Sequence, residues 1–319
     1  MVDILNPGAR QFLNDTAWSS AACQLLTGDA SVRKYFRLRR GKATAILMDA
    51  SAIPHTVPPF IQLDVHLRQL GFSAPQILAQ DEVKGFLVLE DFGDNTFAQL
   101  LDRQAQPDAL FTLATEVLIA LHRETRAIPP GLRTYHPDRM LSDLDLFLEW
   151  CTPKVSEEAK SEFRAAWREV LPLAHQVPKS LLLRDYHAAN LMLLPEREGV
   201  RQAGLLDFQD AYEGPITYDL MSLLEDARRD VPEAVRNRIL AYYLDHFPAL
   251  RPDTFTMSLT ILAAVRHTRV LGIFERLSRF EGKCEYKKLH SPRVHKLLCA
   301  ALRHPALSPV KRWMDNHAS

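Results

Sequence analysis

At 319 residues the chain exceeds the usual size of one compact domain, so two lobes are expected. Its 39 basic and 39 acidic residues cancel, which argues against a dedicated nucleic-acid binder that depends on neutralising phosphates, and 47% hydrophobic with 24% charged residues is the balance of a globular protein. Cys23, Cys151, Cys284 and Cys299 form no C-x-x-C pair and read as free thiols; with a charged N-terminus and no apolar run long enough to cross a bilayer, the expectation is a cytoplasmic protein that engages no membrane.

In chain order, residues 8–22 read as an amphipathic helix carrying Phe12, Leu13 and Trp18. Thr27-Gly28-Asp29-Ala30-Ser31 then forms a small-residue turn into an alternating strand that runs to Leu38; Arg40-Gly41-Lys42 is a hairpin turn and residues 43–49 a second strand. A small-residue loop between strands lets backbone N–H groups approach phosphates, which makes Ser31 a candidate phosphate contact. Arg33 and Arg37 share one face of the strand by its two-residue period, and Lys34 lies on the other. Residues 58–71 carry Phe60, Leu63, Leu67 and Leu70 at helical spacing between a proline start and a glycine stop. Residues 75–79 and 85–90 are strands, and Asp91-Phe92-Gly93-Asp94 connects the second of them to a helix.

From residue 96 helix dominates, with helices expected at 109–124, 138–150, 156–171, 231–246 and, as the last long one, 253–279. Asp230 with Glu233 and Pro232 reads as the cap that opens the fourth of these. A β-rich beginning and a helical majority predict an α+β protein, with a small N-lobe at 1–91 and a larger C-lobe at 92–319.

Residues 181–210 hold the densest chemistry. An apolar run leads into Asp185 and Asn190, spaced D-x-x-x-x-N; a second run, a turn and a third run end in Asp207. Phosphoryl transfer asks little covalent chemistry of a protein: an acid to accept or orient a hydroxyl proton, and oxygen ligands for Mg2+. Asp185 suits the first role, Asn190 and Asp207 the second. Asp and Asn are also common turn formers, but framing apolar runs and a strand-terminal acid favour the catalytic reading.

The wording Asp185-Tyr186-His187-Ala188-Ala189-Asn190-Leu191 resembles the aminoglycoside phosphotransferase family of small-molecule kinases, with Leu183 where that family's loop begins with histidine. Gly214-Pro215-Ile216-Thr217-Tyr218-Asp219-Leu220 is similar to the same family's G-x-P-x-x-Y-D-L segment. Three further stretches, residues 28–37, 206–211 and 266–274, resemble the branch containing bacterial N-acetylmuramate and N-acetylglucosamine anomeric kinases of cell-wall recycling. The resemblance implies a two-lobed protein-kinase-like fold, ATP and Mg2+ as cofactors, and a hinge at Glu90 and Phe92 whose backbone pairs with adenine. It also implies a structural Asp219 that accepts backbone hydrogen bonds or caps its helix, and a monomer whose partner is a sugar phosphorylated at its C1 hydroxyl.

His187 reads as a loop-orienting hydrogen bonder. Met48 stands at or near the position where classical members carry a phosphate-binding lysine; Arg33, nearest the loop, is the candidate substitute because arginine can contact phosphate bidentately. Arg266 and His267, with Arg269, offer a basic surface to the carboxylate of an N-acetylmuramate acceptor, and Asp210 is a lesser candidate for metal or acceptor. Two alternatives stand beside this reading. One is a kinase for an aminoglycoside or another small hydroxyl compound; the other, prompted by Met48, is a non-catalytic nucleotide-binding module.

Overall fold

Alternating side chains make the hairpin expected of residues 34–49. β2 (Lys34–Arg40) and β3 (Ala43–Asp49) pair antiparallel from Lys34 opposite Asp49 to Arg40 opposite Ala43, and Gly41 closes the turn at φ +60°, a conformation glycine adopts without steric cost. The structure is a computed structural model and describes residues 4–26, 32–103 and 106–318; the expected phosphate loop with Gly28 and Ser31 lies outside those residues.

The helix expected over residues 8–22 is shorter. α1 (Pro7–Asn14) is capped by Asn6, whose side chain accepts from Ala9 N. The Thr16 hydroxyl takes the Leu13 carbonyl at 2.8 Å and receives Trp18 N at 3.1 Å, local bonds that compete with helix continuation. Ala22 then opens a strand, β1 (Ala22–Leu26), beside β2. β4 (Ile77–Asp81) and β5 (Phe86–Glu90) complete a five-stranded sheet in the order β1-β2-β3-β5-β4. Phe12 and Leu13 of α1 pack with Phe36, Leu38, Leu47 and Phe86 into one core.

α2 (Val57–Gln69) buries Phe60, Leu63 and Leu67 as expected, and Phe60 stacks on Phe208 at 5.0 Å. A short α3 (Phe97–Asp102), capped by Thr96, comes next. Chain contacts divide the molecule into two units, the first of them the described residues up to 103 together with Ala189–Asp210. The division departs from a boundary after residue 91 because the hairpin of β7 (Leu191–Leu193) and β8 (Ala203–Leu205) finds its partners in the first unit: Ser73 bridges Gly204 and Thr96 bridges Met192.

The second unit, Gln106–Ala188 with residues 211–318, is mostly helical. It holds α4 (Pro107–Arg123), α5 (Pro137–Trp150), α6 (Glu157–Ala174), the strand pair β6 (Lys179–Leu182) and β9 (Tyr212–Pro215), α7 (Thr217–Leu224), α8 (Glu233–Asp245) and α9 (Pro252–Phe280). By length and composition α9 could cross a membrane, contrary to the expectation of no such run, yet 72% of its most apolar window is buried inside the unit. At Gly272 a Cβ would come within 2.6 Å of the Leu146 backbone, so α5 and α9 approach as closely as they do only because that position has no side chain.

Two expectations are revised here. α9 is not the last long helix, since α10 (Cys284–Ala301) and α11 (Ser308–His317) come after it. Asp230 does not cap α8: Arg293 binds its carboxylate through two nitrogens at 2.7 and 2.8 Å, and Pro232 occupies the cap position.

Candidate active site

β6 ends at Leu182, and the next two backbone N–H groups turn to a side chain. Leu183 N and Arg184 N donate to the two oxygens of Asp219, at 2.5 and 2.8 Å. Asp219 lies in the first turn of α7 and is 1% exposed; burial pushes its carboxyl up to about 7, against these two donors, which favour the ionised form. Leu183 itself is buried in the core.

Arg184 takes a left-handed backbone conformation, φ +73°, which costs a non-glycine residue on the order of 1–2 kcal/mol. Its guanidinium offsets the strain from below: it donates to Asp143 at 2.5 Å and lies over the rings of Tyr135 and Tyr212 at 5.4 and 5.1 Å. The kink leaves the Asp185 side chain 33% exposed, while Tyr186 anchors the loop by donating to the Ala114 carbonyl at 2.7 Å. Burial alone would raise the Asp185 carboxyl, but Arg266, Arg269, His187 and Arg184 outweigh it and hold Asp185 below the usual carboxylate range. Arg266 approaches Asp185 Oδ1 to 3.6 Å and donates to the Arg184 carbonyl at 3.2 Å. Asp185 is therefore an ionised acceptor at neutral pH.

His187 is buried, with Nε2 3.4 Å from Arg228 Nη1. Desolvation pushes it down to about 4, with Asp226 opposing and Arg228 and Arg266 reinforcing the shift, so it is neutral at physiological pH. That suits an orienting role better than a general-base one.

Asn190 and Asp207 belong to the first unit, which brings them together. Leu206 N donates to the Asn190 carbonyl at 3.0 Å, and the Asn190 amide nitrogen lies 3.4 Å from Asp207 Oδ2. Asp207 is exposed in a left-handed conformation, φ +58°, which its short polar side chain tolerates, and Gln209 donates to it at 2.9 Å. Among the described residues no group of three or more His, Cys, Asp or Glu side chains could cage a metal. One carboxylate and one amide side chain, whose oxygen can serve as a ligand, fit Mg2+, which keeps water and substrate phosphates as its other ligands. Asp210 is exposed at the end of this segment.

On the phosphate side the arginines separate. Arg33, its side chain 9% exposed, reaches within 3.9 Å of Asp207. Arg37, on the same strand face, is spent elsewhere, pairing with Asp91 at 2.8 Å and Asp94 at 2.7 Å and donating to the Gly93 carbonyl at 2.9 Å. Tyr35 lies between them along the strand, and burial, with Asp207 adding to it, pushes its hydroxyl up to about 12. Met48 is fully buried opposite Tyr35 and Leu87, so its position supplies no cation.

The side chains at the expected hinge are also committed. Glu90 accepts from Gln76 N at 3.1 Å and pairs with Arg197, whose guanidinium lies 5.1 Å over Phe92. Phe92 presses so close to Gly204 that a Cβ there would meet its ring at 2.8 Å.

The expectation that Arg266 and His267 present a basic surface to the acceptor needs correction. Both are buried, at 4% and 1% exposure. Arg266 backs Asp185 and the loop carbonyl, and His267 Nε2 sits 2.7 Å from Glu225. Two acids escaped the sequence reading. Asp143 on α5 collects Arg184, Arg139 and the Tyr135 hydroxyl. Asp64 on α2 is fully buried, neither oxygen has a hydrogen-bond partner among the described residues, and burial pushes it up to about 7. Each had a signal: an acid set into the apolar face of a helical pattern.

The model of the phosphotransferase enzyme family matches residues 22–252 of this chain. An N-acetylmuramate/N-acetylglucosamine kinase of Caulobacter vibrioides is 32% identical over 347 aligned residues that span 96% of this chain and 94% of the relative. A kinase of the same name from Pseudomonas aeruginosa is 33% identical over 89% of this chain and 85% of its own length. Among solved structures, a choline/ethanolamine kinase family protein of Mesorhizobium loti superposes with a TM-score of 0.67 at 15% identity, covering 96% of this chain and 98% of that one. The gentamicin complex of the aminoglycoside phosphotransferase APH(2")-IIa gives a TM-score of 0.62 at 15% identity, covering 97% and 100%. At such identity the solved structures speak to the fold, which is that of kinase-like phosphotransferases.

Proposed function

Because this chain belongs to the phosphotransferase enzyme family, we propose that it is an ATP- and Mg2+-dependent kinase acting on the C1 hydroxyl of N-acetylmuramate and N-acetylglucosamine, in cell-wall recycling. The observation that carries the chemistry is Asp185, turned outward by a left-handed Arg184 and kept ionised by the guanidiniums of Arg266 and Arg269. Asp185 orients the acceptor hydroxyl and takes its proton as the new oxygen–phosphorus bond forms and the bond to ADP breaks. A carboxylate held this low is a weak base, which suffices where the transferring group carries little nucleophilic participation until late. A hemiacetal hydroxyl, more acidic than an ordinary alcohol, also asks less of it.

Asn190 and Asp207 would hold Mg2+, which would supply positive charge against the charge developing on the transferring phosphate. Arg33, within 3.9 Å of Asp207, would take the place of the lysine that Met48 cannot supply and contact phosphate oxygens. The backbone at Glu90 to Phe92 receives adenine. We place the enzyme in the cytoplasm as a monomer. Against an aminoglycoside acceptor stands the surplus of arginine around Asp185, which would repel a polycation. The test is a panel of amino sugars, aminoglycosides and choline with ATP, the product's phosphate position read by phosphorus NMR. Phosphate on C1 of the acetylated amino sugars is expected, and turnover of the polycations alone would overturn the reading.

A further inference from the structure

The arginines beside Asp185 are not equivalent. Asp143 already accepts three hydrogen bonds: the Tyr135 hydroxyl and Arg184 bond one oxygen at 2.9 and 2.5 Å, and Arg139 bonds the other at 2.8 Å. Arg269 comes fourth, its Nε 3.7 Å from Asp143, beyond hydrogen-bond range. That nitrogen is buried and has no hydrogen-bond partner among the described residues. Arg184 Nε is unpaired in the same way, but the Arg184 guanidinium is anchored through Nη2 on Asp143, an anchor that Arg269 at 3.7 Å lacks.

Arg266 and Arg184 have side chains only 5% exposed and donate hydrogen bonds, Arg266 to the Arg184 carbonyl and Arg184 to Asp143; the Arg269 side chain is 19% exposed. Arg266 and Arg269 lie one helical turn apart on α9, so they share a face. The charge of Arg269 acts on Asp185 directly. Four guanidiniums, of Arg139, Arg184, Arg266 and Arg269, thus surround two carboxylates, Asp143 and Asp185. Asp219 and Asp226 act on the same cluster but bring Arg228 with them, and the sign stays positive.

We infer that Arg269 is the specificity residue for an anionic acceptor, binding the carboxylate of the lactyl ether that distinguishes N-acetylmuramate from N-acetylglucosamine. The inference rests on the proposed activity and leaves to Arg269 alone the role that the sequence assigns to Arg266, His267 and Arg269 together. A carboxylate arriving at the exposed part of that side chain offsets the local charge, and a bidentate pair adds orientation as well as affinity.

The test uses the full chain with three acceptors: N-acetylmuramate, its methyl ester and N-acetylglucosamine. For the wild type, kcat/KM is expected to favour the free acid over the ester by tenfold or more, chiefly through KM. Arg269→Met should erase that ratio, and Arg269→Lys, which keeps the charge without the fork, should restore part of it. Equal use of acid and ester by the wild type overturns the proposal without involving any variant. So does an Arg269→Met enzyme that melts like the wild type yet loses the same factor on all three acceptors, because Arg269 would then act only through Asp143 and Asp185. If the wild type phosphorylates none of the three, the proposal falls together with the activity it rests on, and that outcome is distinct from the other two.

Discussion

Arg37 in the first unit and Arg269 in the second are both arginines among acids, with opposite balances. Arg37 faces two carboxylates and a carbonyl, each within 3.0 Å, and its charge is consumed in tying β2 to the connector after β5. Around Asp143 guanidiniums outnumber acids and the last to arrive stands at 3.7 Å. Where acids match donors an arginine is structural; where donors exceed acids the site is built for an anion that comes from outside.

Four experiments break or sharpen this contrast, in descending order of effect. Asp185→Asn should lower turnover by about 10³-fold, within the range general-base groups contribute, while ATP binding by calorimetry persists. Retained turnover would remove Asp185 from the chemistry. Asp143→Ala would leave the surrounding guanidiniums without their main counter-charge and should cost about 3 kcal/mol in denaturant unfolding, as loss of one partner in a buried pair does.

On the phosphate side, Arg33→Met should raise the KM for ATP about tenfold, roughly 1.4 kcal/mol of binding, with little change in stability. Arg37→Met should do the reverse, lowering the melting temperature while the KM for ATP stays put. Exchanged outcomes would mean that Arg37, not Arg33, serves the phosphates.

The smallest effect is a gain. Asp64→Leu removes a buried carboxyl with no partner among the described residues and should stabilise the protein by about 1–2 kcal/mol at pH 8. Folded Asp64 keeps its proton up to about 7, whereas an unfolded aspartate loses it near 3.9. The folded state therefore binds more protons between those values, and the wild type loses stability as pH rises through them. The advantage of the leucine variant should grow over that window and level off above it. A pH-independent difference in urea midpoints would show that Asp64 is ionised throughout.

The grouping of Asp185, Asn190 and Asp207 was legible because the three lie in one stretch, between apolar runs that read as strands. Asp219 was legible from the resemblance of its segment, and the structure turns its two oxygens to the backbone just before Asp185. Local competition escaped the pattern. A threonine hydroxyl ended α1 before residue 22, and a distant Arg293 drew Asp230 away from the helix it was expected to cap. Arg266 and His267 depart from expectation for a related reason: periodicity along α9 cannot say which side is buried when a helix is enclosed over most of its surface.

By itself, the sequence determined a strand-rich beginning before a helical majority, the grouping of Asp185, Asn190 and Asp207 in one stretch, and the absence of a lysine at Met48. Those depend on residue type and on neighbours within a few positions of the chain. Tertiary structure alone decided which arginine is spent and which is left over. That outcome depends on how many carboxylates and carbonyls converge on each guanidinium from remote helices, and on how much water burial removes, and neither quantity is written in the local order of residues.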